Sequence, residues 1–407
     1  MPTIREDHIM RENSNTFQIE DEHYASFANK TKISIEKGKG VYVYDEDGKK
    51  YLDLTAGWGV TSIGHASPVI TKALFDQSKK IIQNPNSGAT YSIERSKLIS
   101  LMQEVLPDNL SRVFFVNSGA EANDAVIKLA RKVTGKLNII SMNKSFHGRT
   151  INTISATGQN KHRNRFNPLI PNHIFVPYND IPAIERVIGN DVAAVIVEPI
   201  QGEGGVNIPD PDYLKNLSNL CAKHKVLLIV DEVQTGFCRT GPMFMSNKVT
   251  IDILTMAKGI AGGFPFAGFA ITEKIHDKIE KGDHGGTYSG NPLGCKVAYS
   301  VIKYILDNKM WENVEYIGKY AISKLNEFKK EYPHIIKDVR GKGLLIAVEL
   351  TDEDITASIN SKCLNDGLLL NVIQGNIVRI FPALNISPEE MAEGLKILKK
   401  VLDEHAR

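Results

Sequence analysis

Residues 226–230, Val-Leu-Leu-Ile-Val, lead directly into Asp231 and Glu232. Burying an unpaired carboxylate is costly, so an apolar strand that delivers one at its end points to a partner for it. Further along, Thr255-Met256-Ala257-Lys258-Gly259 sets a lysine between small residues in an apolar, glycine-rich stretch. A lone lysine is ordinarily a solvated surface charge, but here an ammonium has little to pair with. Desolvation depresses a lysine's pKa and makes its amine nucleophilic. Two earlier segments carry weaker signals. Asn117-Ser118-Gly119-Ala120-Glu121-Ala122-Asn123 opens a helix with small residues, so that backbone N–H groups can reach an anion. Taken alone it reads more simply as an N-cap serine and a tight turn. Ser145-Phe146-His147-Gly148-Arg149-Thr150 offers an aromatic face, a glycine for close approach and a guanidinium. Alone, its histidine and phenylalanine are equally a loop residue and core.

The elements that must position these residues follow a regular plan. Short β-rich runs at 112–116, 137–141, 173–176, 193–197, 226–230 and 268–271 alternate with stretches of helical period. Strand then helix, repeated, predicts an α/β fold: a mostly parallel sheet with helices on both faces. Ligands of such sheets sit at the carboxyl ends of the strands, where the four segments fall. Residues 40–45 alternate and turn through Asp47-Gly48 into 51–54, a β-hairpin. After residue 300 comes one long helical pattern at 301–330, then strands at 343–350 and 377–381 and a closing helix at 388–405. The expected organisation is a large domain over 61–300 and a small α+β domain built from 1–60 and 301–407.

Combined, the four segments describe one device. A helix end holds a phosphate, an aromatic ring faces a heterocycle, an aspartate pairs with a pyridinium nitrogen, and a lysine joins an aldehyde. That set of demands is met by pyridoxal 5'-phosphate. Lys258 and Asp231 are the expected catalytic residues. Other chemistries are disfavoured. Gly202-Glu203-Gly204-Gly205 is not a dinucleotide fingerprint opening a helix, and no glycine-rich loop ends in Gly-Lys-Ser or Gly-Lys-Thr. The 4 cysteines are scattered without a Cys-x-x-Cys pair, which argues against a disulfide framework and a structural metal site. A net charge of +2 gives no electrostatic case for nucleic acid or membrane surfaces. Residues 1–20 are polar, without a signal-like apolar stretch, and no window reaches the length of a membrane span, so a cytoplasmic enzyme is expected.

Eight motifs in register carry a resemblance: Asp45 to Leu54, Gly64-His65, Asn117 to Asn123, Phe146 to Thr150, Glu198 to Val206, Asp231 to Gly241, Lys258, and Gly286 to Pro292. From about Gly38 to Asn385 the chain resembles the class III (ω-amino acid) aminotransferases of the fold type I pyridoxal-phosphate superfamily. The resemblance implies that Ser118, Gly119 and Ala120 bind the phosphate and Phe146 stacks on the ring. It implies that Asp231 pairs with the ring nitrogen, Gln234 contacts the phenolic oxygen, and Lys258 both binds the cofactor and shuttles a proton. Thr287 would reach the phosphate of a neighbouring subunit, which implies a homodimer with shared active sites. Arg379 would grip a substrate carboxylate, Glu203 would pair with Arg379 and swing away when 2-oxoglutarate arrives, and Arg149 would hold the other end of the substrate.

Within the family the Phe146–Thr150 and Gln201–Val206 stretches are similar to acetylornithine and ornithine aminotransferases, enzymes of the arginine-biosynthesis type. The implied reaction moves the terminal amino group of such a donor to 2-oxoglutarate, giving a semialdehyde and glutamate. Two departures keep 4-aminobutyrate and putrescine open as donors. Trp58 stands where small or aliphatic residues are usual, and Gly286 stands where acetylornithine enzymes carry serine. Trp58 reads equally well as plain core. An aminomutase, decarboxylase or racemase, or a non-catalytic protein of the same fold, remains the more distant alternative.

Overall fold

The computed structural model describes residues 16–406, so the part of the expected small domain at 1–15 lies outside the described residues. The centre is a seven-stranded sheet in the order Arg112–Val116, Ala267–Ile271, Ile253–Met256, Leu227–Asp231, Val192–Val197, Asn138–Met142, His173–Val176. From Ile253–Met256 to His173–Val176 every pairing is parallel. Ala267–Ile271 runs antiparallel to both its neighbours. The expected run at 268–271 is thus a strand, but a reversed one. The apolar residues before Lys258, not read as a strand from sequence, complete the sheet as Ile253–Met256.

The sheet is a middle layer. Val192–Val197 is buried at all six positions, which is why it reads as an unbroken apolar run rather than an alternation. Ile139, Ile196, Ile229 and Ile253 pack with the helix Gly119–Thr134, while their neighbours Ile140, Val195, Leu228 and Leu254 pack with the opposite helical layer. That layer includes Ile93–Val105, Tyr213–His224 and Pro292–Asp307. Gly119–Thr134 begins where it does because Ser118 Oγ accepts from Glu121 N at 3.2 Å while the Glu121 carboxylate accepts from Asn117 N at 2.6 Å. This reciprocal capping uses donors that the first helical turn leaves over. It ends at Gly135, whose φ of 68° closes the helix in the left-handed region.

The long helical pattern at 301–330 is two helices, Pro292–Asp307 and Met310–Glu331. The break falls at Lys309, whose φ of 46° no α-helix accommodates. Beyond it, the strands Ile336–Lys342, Leu345–Leu350, Ile377–Ile380 and Asn371–Ile373 form an antiparallel sheet in that order. A further sheet joins the two ends of the chain. Ile35–Lys39, Tyr42–Asp45 and Lys50–Asp53 form a meander, and Lys50–Asp53 then pairs in parallel with Leu368–Leu369. One contact ties these late strands to that further sheet, and another ties them to the loop that follows Leu227–Asp231. Phe381 N donates to Leu54 O at 2.8 Å, and the buried Arg239 guanidinium donates to Leu344 O at 3.1 Å and Pro382 O at 2.5 Å.

Candidate active site

A cavity of about 450 Å³ opens at the carboxyl ends of the parallel strands. Ser118, Gly119, Ala120, Phe146, Arg149, Glu203, Asp231, Gln234 and Lys258 line it, all of them marked out from the sequence. Each arrives on a short connection. Ser118 to Ala120 follow Arg112–Val116, Asp231 is the last residue of its strand, and Lys258 follows Ile253–Met256 by two positions.

Asp231 is 4% exposed and fully engaged. Its Oδ2 accepts from Asn123 Nδ2 at 2.7 Å and lies 2.8 Å from His147 Nδ1, and its Oδ1 accepts from Val233 N at 3.0 Å. Asn123 is itself fixed, donating to His147 O at 2.9 Å and accepting from Thr255 Oγ1 at 2.7 Å. The carboxylate therefore has an N–H donor on each oxygen and a set direction. The second ring nitrogen of His147, Nε2, is buried with no partner among the described residues. Asn123 and His147 were not singled out as site residues from sequence. Both sit inside quoted motifs; for Asn123 the clue was a polar residue on the inner face of a helix that packs on the sheet, whereas His147 lies in the loop after Asn138–Met142.

Lys258 sits at φ 47°, a left-handed conformation that costs a non-glycine residue of the order of 1 kcal/mol. Burial lowers its pKa, Glu203 opposes that shift, and Arg379 reinforces it. Glu198, which follows Val192–Val197, also lines the cavity. Its carboxylate accepts from Phe146 N at 2.8 Å and Gly202 N at 3.1 Å, so it ties together the loops bearing Phe146 and Glu203. Burial pushes Glu198 up to about 7, with His147 opposing the shift.

Arg379 lies one layer behind the cavity wall and is 0% exposed. Its Nη1 donates to Glu203 Oε1 at 2.6 Å and to Gln234 Oε1 at 3.2 Å, and Gln234 Nε2 donates to the same Glu203 oxygen at 3.2 Å. Burial raises the Glu203 pKa, but Arg379 and Lys258 outweigh it and hold this carboxyl below its ordinary value. Gly286 and Thr287 stand apart from the main cavity. Gly286 lines a separate recess of about 170 Å³ with Asn117 and Glu121, and Thr287 is exposed. Trp58 is 53% exposed, in a run where Ala56 to Gly59 all have positive φ, so it is not core. The neighbouring Val60 lines the cavity.

The residues present fit pyridoxal phosphate. Gly119 and Ala120 are the first two helical residues, whose N–H groups have no carbonyl within the helix to bond and suit an anion. The cradle is small of necessity. A Cβ on Gly119 would meet Val233 Cγ1 at 2.9 Å, and one on Gly148 would meet Ala120 Cβ at 2.8 Å.

Comparison with known proteins agrees with this chemistry. The chain is 41% identical over 374 residues to the acetylornithine aminotransferase of Methanothermobacter thermautotrophicus, covering 91% of this chain and 94% of that one. It is 42% identical over 379 residues to the acetylornithine aminotransferase of Clostridium acetobutylicum, covering 90% and 96%. Among solved structures, the ornithine aminotransferase of Toxoplasma gondii superposes with a TM-score of 0.92 at 32% identity, covering 98% and 97%. The acetylornithine aminotransferase of Elizabethkingia anophelis gives a TM-score of 0.84 at 33% identity, covering 96% and 98%. Shared over almost the whole chain, this architecture is the fold type I class of pyridoxal-phosphate enzymes. The family model for class-III aminotransferases matches residues 24–402. The chain belongs to that family: it is a pyridoxal-phosphate-dependent class-III aminotransferase. Among the described residues no helix is long and apolar enough to cross a membrane.

Proposed function

We propose that this aminotransferase takes the terminal amino group of an ornithine-type donor, N-acetylornithine first, and passes it to 2-oxoglutarate to give a semialdehyde and glutamate. The observation that carries the reading is the Glu203–Arg379 pair behind Gln234, a cation masked by a carboxylate that can leave it. When bound, pyridoxal phosphate supplies an aldehyde that condenses with amines and a protonated ring that takes up the electron pair left by a departing proton. Ser118, Gly119 and Ala120 would hold the phosphate, Phe146 would cover a ring face, Asp231 would keep the ring nitrogen protonated, and Gln234 would reach the ring hydroxyl.

Lys258 would bind the aldehyde carbon in the resting enzyme and carry the proton during turnover. Its lowered pKa leaves more of the amine neutral and able to accept that proton. Arg149 would hold the far end of the donor. While Glu203 covers Arg379, the site accepts a donor through its distal amine; once Glu203 swings aside, Arg379 receives the carboxylate of 2-oxoglutarate. Thr287, exposed in one chain, would complete the phosphate site of a second copy, with Gly286 beside its substrate, in a homodimer. We further propose the division 1–60, 61–300 and 301–407 into small, large and small domain, and a cytoplasmic location.

Trp58 favours a second reading. Exposed beside the cavity-lining Val60, it would narrow the space for an N-acetyl group and favour 4-aminobutyrate or putrescine. Glutamate production from 2-oxoglutarate with N-acetylornithine, ornithine, 4-aminobutyrate and putrescine tests both. The first reading predicts the highest kcat/KM for N-acetylornithine. No glutamate from any of the four would overturn both.

A further inference from the structure

The Glu203–Arg379 pair is held from a third direction. Asn371 lies directly opposite Arg379 on the neighbouring antiparallel strand. Its Oδ1 accepts from Arg379 Nε at 3.1 Å and from Nη2 at 2.7 Å. A guanidinium is donor-only, so the Asn371 atom facing it is the oxygen. A guanidinium has five N–H donors in a fixed fork. Asn371 occupies the whole Nε–Nη2 edge. Nη1 is shared between Glu203 and Gln234, which leaves one Nη2 donor, on the side of the fork that faces Nη1.

We propose, resting on the reading that Arg379 receives the substrate carboxylate, that Asn371 is a positioning residue. It closes the side-on edge of Arg379 and leaves the end-on Nη1–Nη2 face as the docking face once Glu203 departs. The same hairpin holds the other half of the pair. Gln374 Nε2 donates to the main-chain oxygen of Glu203 at 2.5 Å and to Gln159 Oε1 at 3.1 Å. The Glu203 backbone is thereby anchored to the strand that orients Arg379, and the Glu203 side chain is the moving part.

The test uses the holoenzyme and glutarate, a dicarboxylate without a reactive carbonyl, with its dissociation constant measured by calorimetry. Asn371→Asp puts a carboxylate on the edge that asparagine now holds, so Arg379 stays neutralised after Glu203 leaves. Glutarate affinity should fall about tenfold or more, matched by a rise in KM for 2-oxoglutarate that exceeds any fall in kcat. Asn371→Ser, which keeps an acceptor oxygen on a shorter arm, should lie between Asp and wild type. A purely structural role would lower stability and kcat in both variants without this ordering in KM. Arg379→Ala separates the two claims. If glutarate still binds that variant normally, the reading of Arg379 fails. If Arg379→Ala abolishes glutarate binding while Asn371→Asp leaves it unchanged, the proposal for Asn371 alone is overturned.

Discussion

Replacing Glu203 by glutamine should make the enzyme bind 2-oxoglutarate more tightly, not less. In the structure a carboxylate that reaches Arg379 must first displace Glu203, which sits 2.6 Å from Nη1 and is only 18% exposed in its side chain. A hydrogen bond between charged partners is worth about 1.5–3 kcal/mol, roughly twice its neutral counterpart. Glutamine keeps the shape and the acceptor oxygen but not the charge, so displacement becomes easier by about 1–2 kcal/mol. That corresponds to about 5- to 30-fold tighter binding of the keto acid. The assay is single-turnover absorbance of the bound cofactor, with each half-reaction saturated separately. The half-reaction with 2-oxoglutarate should saturate at lower concentration. The half-reaction with the ω-amino donor should lose kcat/KM, because the unmasked Arg379 also accepts the donor by its α-carboxylate. The variant also leaves Arg379 buried without a compensating charge, so its melting temperature should drop and added glutarate should restore it. A keto-acid saturation constant that stays put or rises in a folded Glu203→Gln protein would refute the gating argument.

Other outcomes follow from the same geometry. Lys258→Ala should show no visible absorbance from covalently held pyridoxal phosphate and should lose at least about 100-fold in kcat; persistence of the spectrum would remove Lys258 from its role. Gly202→Ala places a Cβ at 1.6 Å from Gln234 Oε1, and the flexible Gln234 side chain must leave Arg379 and Glu203. Its kcat/KM for 2-oxoglutarate should fall about tenfold, with a melting temperature close to wild type. Glu198 titrates at about 7 in the fold against an ordinary 4.5, so the native state holds a proton that the unfolded chain has released between those values. Its contribution to stability is full below about pH 4.5 and is lost as pH rises to about 7, by about 3 kcal/mol in all. Glu198→Gln should flatten that decline in denaturant midpoints between pH 5 and pH 8; an unchanged slope would show that Glu198 does not titrate there.

What the sequence revealed about the site depended on distance along the chain. Asp231 and Lys258 were legible because an apolar strand ending in charge is a local contradiction that needs no knowledge of the fold. Asn123 was not, because its partner Asp231 lies 108 residues away and only the packing of a helix on the sheet brings them together. Asn371 was within reach. A hairpin turning at Gln374 and Gly375 sets Asn371 opposite Arg379, but a three-residue edge strand is too short to read with its register. The strand at Ala267–Ile271 was expected, but its reversed direction went unread for a similar reason, since a buried run looks alike in either direction. Lys309 ended a helix by its backbone conformation alone, and its lysine side chain gives no breaker signal.

The parallel pairing of Leu52 with Leu368 joins residues more than 300 positions apart. At synthesis rates of about 5–20 residues per second, the early meander emerges from the ribosome roughly 15 to 60 seconds before its last strand exists. Through that interval its open edge offers unpaired backbone to any passing chain. Production of this enzyme in a foreign host should therefore respond to slower growth, lower temperature and added chaperone more than its well-buried core alone would suggest.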